Sequence, residues 1–340
     1  MDIILITPAP KRSRAGNRTT ALRWAGILRR LGHRVVVATA YADVPCDLMI
    51  ALHAWKSAPA IARYRRLYPE RPLVVALTGT DINHDLAADP GTTLRSLDLA
   101  DALVGLHDLV ADAIPEAYRD KLAVIVQSVP ASEERLPPTT RTFEILVVGH
   151  LRAEKDPLRA ALAARALPPA SRIRVVHLGG APDPAWADRA RAEMQANPRY
   201  DWRGEVSGAR VRRFLRRARL MVLSSLNEGG ANVISEAIAA GLPILASEIP
   251  GNVGLLGADH PGYFPAGDQA ALARLMLRAE QDPAFLERLR AHGAARAAAF
   301  DPAHEQEAWA VLVARAAGAA RARAAAGIDA ARPAPALLLP

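Results

Sequence analysis

The sequence predicts an α/β protein built from two doubly wound domains, and three observations support this prediction. Short, nearly continuous apolar runs alternate with stretches of helical period along most of the 340 residues. Such runs are typical of parallel strands covered by helices on both faces. The alternation stops at the polar, proline-containing segment 132–141 and then starts again, which indicates a linker. The length also suits two domains, at roughly 100–200 residues each.

The elements follow in order along the chain. Six strands are predicted in the first half, at 2–7, 34–39, 48–52, 73–77, 102–106 and 122–126, with a helix over 17–31 after the first strand. Four strands are predicted in the second half, at 143–148, 173–178, 220–223 and 244–246, with helices near 157–166, 184–196, 209–217, 232–240, 269–280 and 284–299.

These elements divide into an N-terminal domain over residues 1–135 and a C-terminal domain over 136–318. A last helix, over about residues 302–317, could pack back on the first domain. Residues 319–340 are rich in alanine, arginine and proline, and this low complexity predicts a disordered tail. Because ligands of such sheets bind beyond the carboxyl ends of the strands, we expect a site in a cleft between the domains.

Composition excludes several classes of protein. The single cysteine, Cys46, permits neither an internal disulfide nor a cysteine-based zinc site, and it fits a reducing cytoplasmic setting. No apolar run reaches the roughly 18 residues of a membrane span, and the N-terminus is typical of a first strand, not of a signal peptide. The net charge of +8 comes mainly from arginine and identifies no partner by itself.

The most informative segment is 224–247, where a buried strand leads into a glycine-rich turn and then a helix. The glycines allow close approach of a ligand, and the N–H groups that start the helix favour an anion such as a diphosphate. Two carboxylates eight residues apart are placed to bind hydroxyls, one on a sugar and one on a ribose. The predicted site residues of this segment are Glu228, Gly229, Gly230, Ala231, Asn232 and Glu236.

This pattern, completed by Gly241 and Pro243, resembles the donor motif of the retaining glycosyltransferases of family four, which have GT-B architecture with two Rossmann-like domains. The resemblance implies a nucleotide diphospho-sugar donor, usually a uridine one, with no metal and no cofactor. Glu228 and Lys155 would then be catalytic. After the first strand of the second half, His150, Arg152 and Lys155 take the place where the family neutralises the diphosphate, with His150 standing where the family has arginine.

In this architecture the first half carries the acceptor. The loop that follows its first strand is unusually basic, and a small, strongly anionic acceptor would explain this. The predicted acceptor-binding residues are Lys11, Arg12, Arg14, Asn17, Arg18 and Thr19, together with Lys56 after the third strand. Asp81, His53 and His84 also follow strand ends, and each could act as an acid or base or simply cap a loop.

The segments 7–20, 52–57, 77–81 and 149–157 further resemble the selenosugar synthases of bacterial selenoneine biosynthesis. This resemblance implies a hexosyltransferase that joins selenophosphate to UDP-GlcNAc or UDP-glucose through a carbon–selenium bond. It also implies a link to an enzyme that produces selenophosphate, and no nucleic-acid or membrane partner. The alternatives are a conventional transferase acting on a lipid or sugar phosphate, a nucleotide-sugar epimerase or hydrolase, and a basic nucleic-acid binder.

Overall fold

The computed structural model describes residues 1–13 and 15–326. Arg14 and residues 327–340 lie outside the described residues, so the predicted disorder of that last stretch stays a prediction. The chain divides into two compact units. Unit 1 comprises Met1–Gly105, Ile114–Ile125 and the chain from Gln306, and unit 2 comprises Leu106–Ala113 and Val126–Glu305.

Unit 1 contains a six-stranded sheet in which all neighbouring strands are parallel. Its strands are β1 (Asp2–Ile6), β2 (Arg34–Ala38), β3 (Leu48–Leu52), β4 (Leu73–Ala76), β5 (Ala102–Gly105) and β6 (Leu122–Val124), in the spatial order β2-β1-β3-β4-β5-β6. Strands β3, β4 and β5 are buried at every position, which agrees with their continuous apolar sequences. The six predicted strands are therefore confirmed, with ends that differ by up to two residues.

Four helices belong to the first part of the chain: α1 (Gly16–Arg30), α2 (Ala58–Leu67), α3 (Leu86–Ala88) and α4 (Pro90–Leu99). A π-helical turn at Asp81–Asp85 precedes α3, and 3₁₀ turns lie at Asp108–Ala113 and Glu116–Lys121. Helix α1 buries Ala25, Ile27 and Leu28 of its predicted apolar face, and also Trp24, whereas Leu22 of that face is 50% exposed.

Unit 2 contains a second parallel six-stranded sheet. Its strands are β7 (Phe143–Val148), β8 (Ile173–Leu178), β9 (Tyr200–Trp202), β10 (Leu220–Leu223), β11 (Ile244–Ser247) and β12 (Tyr263–Phe264). The spatial order is β12-β11-β10-β7-β8-β9. Sequence patterns missed β9 and β12, because edge strands of three and two residues are too short to show a period.

Seven helices cover this sheet: α5 (Arg159–Arg165), α6 (Pro184–Ala196), α7 (Gly208–Arg217), α8 (Asn232–Ala239), α9 (Pro250–Leu256), α10 (Gln269–Gln281) and α11 (Pro283–Arg296). Turns of 3₁₀ type lie at Ala153–Lys155 and Ala297–Phe300. One core cluster packs β7 and β8 against α5 and α10, and a second packs β10 and β11 against α8. Helix α9 was not predicted.

The last helix, α12, runs over Pro302–Ala326, and from Gln306 it belongs to unit 1. Its Trp309 is fully buried and meets Trp24 of α1 edge-on, with ring centroids 4.7 Å apart. This contact agrees with the expectation that the last helix could pack on the first domain. Disorder was predicted from residue 319, and in the structure an alanine-rich sequence with strong helix propensity continues α12 to Ala326.

Both sheets have a topological switch point, where the strand order reverses and crevices form beyond the carboxyl ends. In unit 2 the switch lies between β7 and β10, and in unit 1 it lies between β1 and β3. The loops that leave these four strands carry nearly all of the polar residues that the sequence predicts as functional.

Candidate active site

An ion pair lies at the switch point of unit 2. Lys155 follows β7, Glu228 follows β10, and Lys155 Nζ donates a hydrogen bond of 2.5 Å to Glu228 Oε1. The same oxygen accepts a 2.6 Å hydrogen bond from Ser225 Oγ. The side chain of Glu228 is only 6% exposed, whereas that of Lys155 is 32% exposed. The carboxylate therefore holds an ammonium group that an incoming anion can still reach.

The two loops that carry this pair are locked together through their backbones. The N–H groups of Leu226 and Asn227 both donate to the carbonyl of Glu154, and Ser224 Oγ donates to the carbonyl of Asp156 at 3.0 Å. Asp156 has a φ of 42°, in the left-handed region, which ends the short 3₁₀ turn that presents Lys155. These contacts fix Lys155 relative to Glu228 before any ligand binds.

The glycine-rich turn after Glu228 differs in one respect from the sequence interpretation. A Cβ on Gly230 would lie 2.6 Å from Cβ of Leu106, so packing within unit 2 excludes a side chain at this position. This packing explains the glycine at position 230 without a ligand, whereas the sequence analysis explained it by the close approach of a ligand. Gly229 is buried beside it.

Helix α8 begins immediately after this turn. Its N-cap, Ala231, has no polar side chain to bond the first amides, and its first turn contains no acidic residue. Such a helix start favours a bound anion. Asn232 and Glu236 are both half-buried on this helix.

His150 lies in a layer of three loop tips that follow β7, β8 and β9. Its Nδ1 accepts a hydrogen bond from the N–H of Gly180, so the ring proton of the neutral form resides on Nε2. Gly179 has a φ of +155°, and a Cβ there would lie 1.8 Å from the carbonyl oxygen of Gly149. Only glycine fits between these loops. Arg152, 44% exposed, approaches Glu154 at 3.9 Å.

A buried histidine that sequence reasoning missed supports this layer. His177 Nε2 donates to the carbonyl of Gly149 and Nδ1 accepts from the hydroxyl of Tyr200, each at 3.0 Å. Burial lowers the pKa of His177 to about 4, so the ring is neutral at pH 7. Trp202 Nε1 donates to the carbonyl of Gly179 at 2.7 Å. Their positions in or next to strand ends were the only signal in the sequence.

In unit 1, Asp81 connects two loops through hydrogen bonds to their backbone. Its carboxylate is fully buried and accepts hydrogen bonds from the N–H groups of Ala54, Thr78 and Gly79, at 2.8 to 3.1 Å. These contacts join the loop after β3 to the loop after β4. Of the two roles that the sequence left open for Asp81, the geometry favours the structural one, because both oxygens are used by backbone donors.

His53 occupies a strained position at the end of β3. Its φ of 74° lies in the left-handed region, which a non-glycine residue adopts only when its surroundings impose it. Nδ1 accepts from the N–H of Lys56 at 3.2 Å, and Nε2 donates to Thr80 Oγ1 at 2.9 Å. Burial lowers the pKa of His53, although the nearby Asp81 charge opposes this. His84, by contrast, is largely exposed and contacts Asp85.

Arg18, at the end of the basic segment that follows β1, is a buried cation. Arg18 lies in the first turn of α1 and is only 8% exposed, yet its Nε and Nη1 have no hydrogen-bond partner among the described residues. Helical side chains point back toward the helix N-terminus, which directs this guanidinium toward the loop. Buried donors without partners are costly and are typical of sites completed by a ligand.

The other predicted acceptor-binding residues differ in their exposure. Lys11, Arg12, Thr19 and Lys56 are exposed and Asn17 is half-buried. The carbonyl of Asn17 accepts a hydrogen bond from Thr7 Oγ1 at 3.2 Å, which ties the start of α1 to the end of β1. Arg14, also predicted here, lies outside the described residues.

Neither a metal cluster nor a membrane span is found in the part of the chain that the structure describes. Within residues 1–13 and 15–326, no group of three or more His, Cys, Asp or Glu side chains could hold a metal ion. No helix in the same ranges is long and apolar enough to cross a bilayer.

Two doubly wound parallel sheets, each with polar loops at its switch point, define the GT-B architecture. Residues 129–296 match the family model described as "Glycosyl transferases group 1". A curated relative from Xenopus tropicalis, "Glycosyltransferase 1 domain-containing protein 1", is 24% identical over 286 residues, which cover 74% of this chain and 81% of the relative.

Solved structures show the same fold over nearly the whole chain. Anabaena HepE in complex with UDP and glucose superposes with a TM-score of 0.75 at 15% identity, covering 92% of this chain and 99% of HepE. Sucrose-phosphate synthase from Thermosynechococcus elongatus gives a TM-score of 0.72 at 17% identity, covering 96% of this chain and 100% of that chain. At these identities the likeness establishes the fold.

Proposed function

We propose that the protein is a metal-independent glycosyltransferase that transfers a hexose from a UDP-sugar to selenophosphate, forming a carbon–selenium bond. The observation that carries the donor half is the ion pair of Lys155 and Glu228 at the switch point of the segment that matches the glycosyltransferase group 1 model. The observation that carries the acceptor half is the buried guanidinium of Arg18 in unit 1, whose Nε and Nη1 have no hydrogen-bond partner among the described residues.

Lys155 would stabilise the departing diphosphate. An ammonium group has three donors, and here one of them is held by Glu228 Oε1. The partial exposure of Lys155 leaves the group accessible, and its fixed position means that no reorganisation is needed as negative charge develops on the leaving group. His150, Arg152 and the start of α8 at Ala231 would add hydrogen bonds and positive potential.

The uridine and sugar would be oriented by the rest of the donor segment. We assign sugar hydroxyls to Glu228 and ribose hydroxyls to Glu236, with Gly229, Gly230 and Asn232 lining the approach. Support comes from HepE, a protein of the same fold whose solved structure contains UDP-glucose. Burial of Glu228 favours such a role, since a carboxylate in a low-dielectric site discriminates strongly between a bonded and an unbonded hydroxyl.

The acceptor would be held as a tetrahedral oxyanion by Arg18, with Lys11, Arg12, Arg14, Asn17, Thr19 and Lys56 around it. In the reaction, selenium attacks the anomeric carbon, the carbon–oxygen bond to the diphosphate breaks, and UDP leaves with the electron pair. The product is then a selenosugar that carries the phosphoryl group on selenium. Hydrolysis of the selenium–phosphorus bond by water would give the free selenol and inorganic phosphate.

No dedicated base is required for this step. Selenium in selenophosphate is already anionic and strongly nucleophilic, so proton removal does not limit attack. His53 would contribute through the loop that it holds near Lys56, and Asp81 would keep that loop in place. This assignment replaces acid or base roles for the two residues with positioning roles.

The test is UDP release from UDP-GlcNAc and UDP-glucose in four parallel reactions: with selenophosphate, with a sugar phosphate, with liposomes and with no acceptor. We expect release that depends on selenophosphate. Release that depends on a sugar phosphate or on liposomes would favour a conventional transferase, and release without acceptor would favour a hydrolase. UDP-sugar isomerised without release would indicate an epimerase.

Variants define the donor site in the same assay. Lys155→Ala and Glu228→Ala should abolish turnover and leave the fold intact. The matched control is Arg159→Ala, which loses a comparable 2.6 Å ion pair with Asp156 only four residues beyond Lys155. Full activity in Glu228→Ala, or equal losses in all three variants, would overturn the donor-site assignment.

A further inference from the structure

A chain of buried hydrogen bonds runs from α9 to Glu228. Asn252 Nδ2 donates to the carbonyl and to Oγ of Ser247, at 2.9 and 3.1 Å. Ser247 Oγ donates at 2.5 Å to the carbonyl of Ser225, whose own hydroxyl donates to Glu228 Oε1. Glu228 Oε1 also accepts a hydrogen bond from Lys155 Nζ. Five side chains, from the loops after β7 and β10, the end of β11 and helix α9, are thus connected through these bonds and the carbonyl of Ser225.

The network is closed to solvent at the end remote from Lys155. Ser225, Ser247 and Asn252 are each 0% exposed, so none of them can touch a substrate. Any influence that they have on the chemistry must pass through Glu228. Asn252 Oδ1 has no partner among the described residues, so this asparagine is kept at a cost to stability.

The backbone of Glu228 is held from the same direction. A Cβ on Gly251 would lie 2.3 Å from the carbonyl oxygen of Glu228 and 2.9 Å from its Cβ. The first turn of α9 therefore packs directly against Glu228, and only glycine permits this contact. The helix supports the main chain of Glu228 through Gly251 and its carboxylate through the hydrogen-bond chain.

We propose that Ser225, Ser247 and Asn252 are positioning residues that fix Glu228 Oε1, and through it the ammonium of Lys155, in the geometry needed for departure of the leaving group. The expected effect on catalysis rests on the proposed function, whereas the expected effect on the position of Glu228 does not. If one link is removed, the carboxylate can rotate and the ammonium loses its fixed place.

The kinetic signature of this role is a loss in kcat with little change in KM. Lys155 acts mainly as charge develops in the transition state, so its displacement affects the reacting state more than the bound substrate. Loss of one hydrogen bond to a charged group corresponds to a decrease of about tenfold in kcat. If the three residues only stabilised the fold, their substitution would lower the thermal stability without lowering kcat selectively over KM.

The experiment compares Ser247→Ala and Ser225→Ala with Ser247→Thr, which retains the hydroxyl, and with Ser96→Ala as the control. Ser96 is 1% exposed and donates to the carbonyl of Ala54 at 2.7 Å, so its substitution removes an equally buried hydroxyl in the other unit. At nearly constant KM, we expect kcat for the UDP-sugar to fall about tenfold in Ser225→Ala, which loses the bond to the carboxylate, and about fivefold in Ser247→Ala, whose bond goes to a neutral carbonyl; it should stay within about twofold of wild type in Ser247→Thr and Ser96→Ala. Equal kcat in Ser247→Ala and Ser96→Ala would overturn the proposal.

A crystal structure of Ser225→Ala or Ser247→Ala provides a readout that does not need activity. We expect the contact between Lys155 Nζ and Glu228 Oε1, which is 2.5 Å in the wild type, to be lengthened or lost. An unchanged contact in both variants would refute the positioning role. If wild-type protein turned over no UDP-sugar, the proposed function would fail, and this distance would still decide the role of the three residues.

Discussion

Replacing Arg18 with methionine should make the protein more stable and its acceptor site weaker. Arg18 is only 8% exposed, and two of its guanidinium nitrogens have no hydrogen-bond partner among the described residues. Methionine keeps the unbranched stem that packs in α1 and removes the charge. The substitution therefore separates the packing of this side chain from its electrostatics.

The magnitude follows from the cost of buried donors without partners. Each such donor costs about 1–3 kcal/mol, so two of them cost about 2 kcal/mol at the lower end of this range. For a unit of this size, 1 kcal/mol corresponds to about 2–4 °C in Tm. We therefore expect Arg18→Met to raise Tm by about 4–8 °C in the absence of phosphate.

Inorganic phosphate should make the wild-type protein more stable than Arg18→Met, which reverses their order of Tm. A ligand that binds only the folded state stabilises it by RT ln(1 + [L]/Kd), which is about 2.7 kcal/mol at one hundred times Kd and exceeds the difference of about 2 kcal/mol between the two proteins. Phosphate should thus raise the Tm of the wild type and leave that of Arg18→Met unchanged. The KM for selenophosphate should rise at least about tenfold in the variant, while that for the UDP-sugar stays constant.

The control is Arg65→Met. Arg65 is equally buried, but its guanidinium is fully used by Asp101 and by the carbonyls of Pro69, Arg71 and Leu99. Its substitution should lower Tm by several degrees, because it leaves Asp101 without its cation. A similar decrease in Arg18→Met, together with an undiminished phosphate shift, would refute the interpretation of Arg18 as an anion site.

Three further predictions concern the donor half. Gly179→Ala should destabilise the protein by more than about 3 kcal/mol in urea titrations, since the added Cβ would lie 1.8 Å from the carbonyl oxygen of Gly149. The control is Gly149→Ala, whose added Cβ would have no atom within 4 Å and should change the stability little. Equal effects of the two substitutions would argue against the packing of these loops. The folded-state pKa of His177, about 4, lies below its unfolded value of 6.5, so its contribution to stability is complete above pH 6.5 and lost as the pH falls toward 4. This loss is roughly 3 kcal/mol, and in His177→Gln the midpoint of urea unfolding should depend less on pH over that range; an unchanged pH dependence would contradict the assignment. EDTA should not inhibit turnover, and inhibition that Mg²⁺ reverses would contradict a metal-independent reaction.

The alternation of apolar runs and helical periods was sufficient to predict the two sheets. It works because a strand buried on both faces must be apolar throughout, as in β3, β4 and β5. The short edge strands β9 and β12 and the helix α9 escaped prediction, since their stability comes from packing against neighbours and not from their own patterns. Helix α12 extended further than predicted for a related reason, as its alanine-rich end is helix-forming despite its low complexity.

The candidate site could be proposed from the sequence where its residues follow strand ends in short motifs. Lys155 and Glu228 were identified in this way, and the structure brings them into contact across 73 residues of sequence. Ser247 and Asn252 carry no such signal, because they act through contacts that only the folded sheet creates. Asp81 shows the opposite case: its motif suggested chemistry, whereas its partners are backbone N–H groups.

The central claim is most directly tested by mass spectrometry of the products formed from UDP-GlcNAc or UDP-glucose, with and without selenophosphate. The account predicts UDP together with a hexose or N-acetylhexosamine adduct that shows the isotope pattern of one selenium atom, formed only when selenophosphate is present. The adduct should be absent in Lys155→Ala and Glu228→Ala. Free sugar as the only product, or a selenium-free glycoside formed at the same rate without selenophosphate, would contradict it.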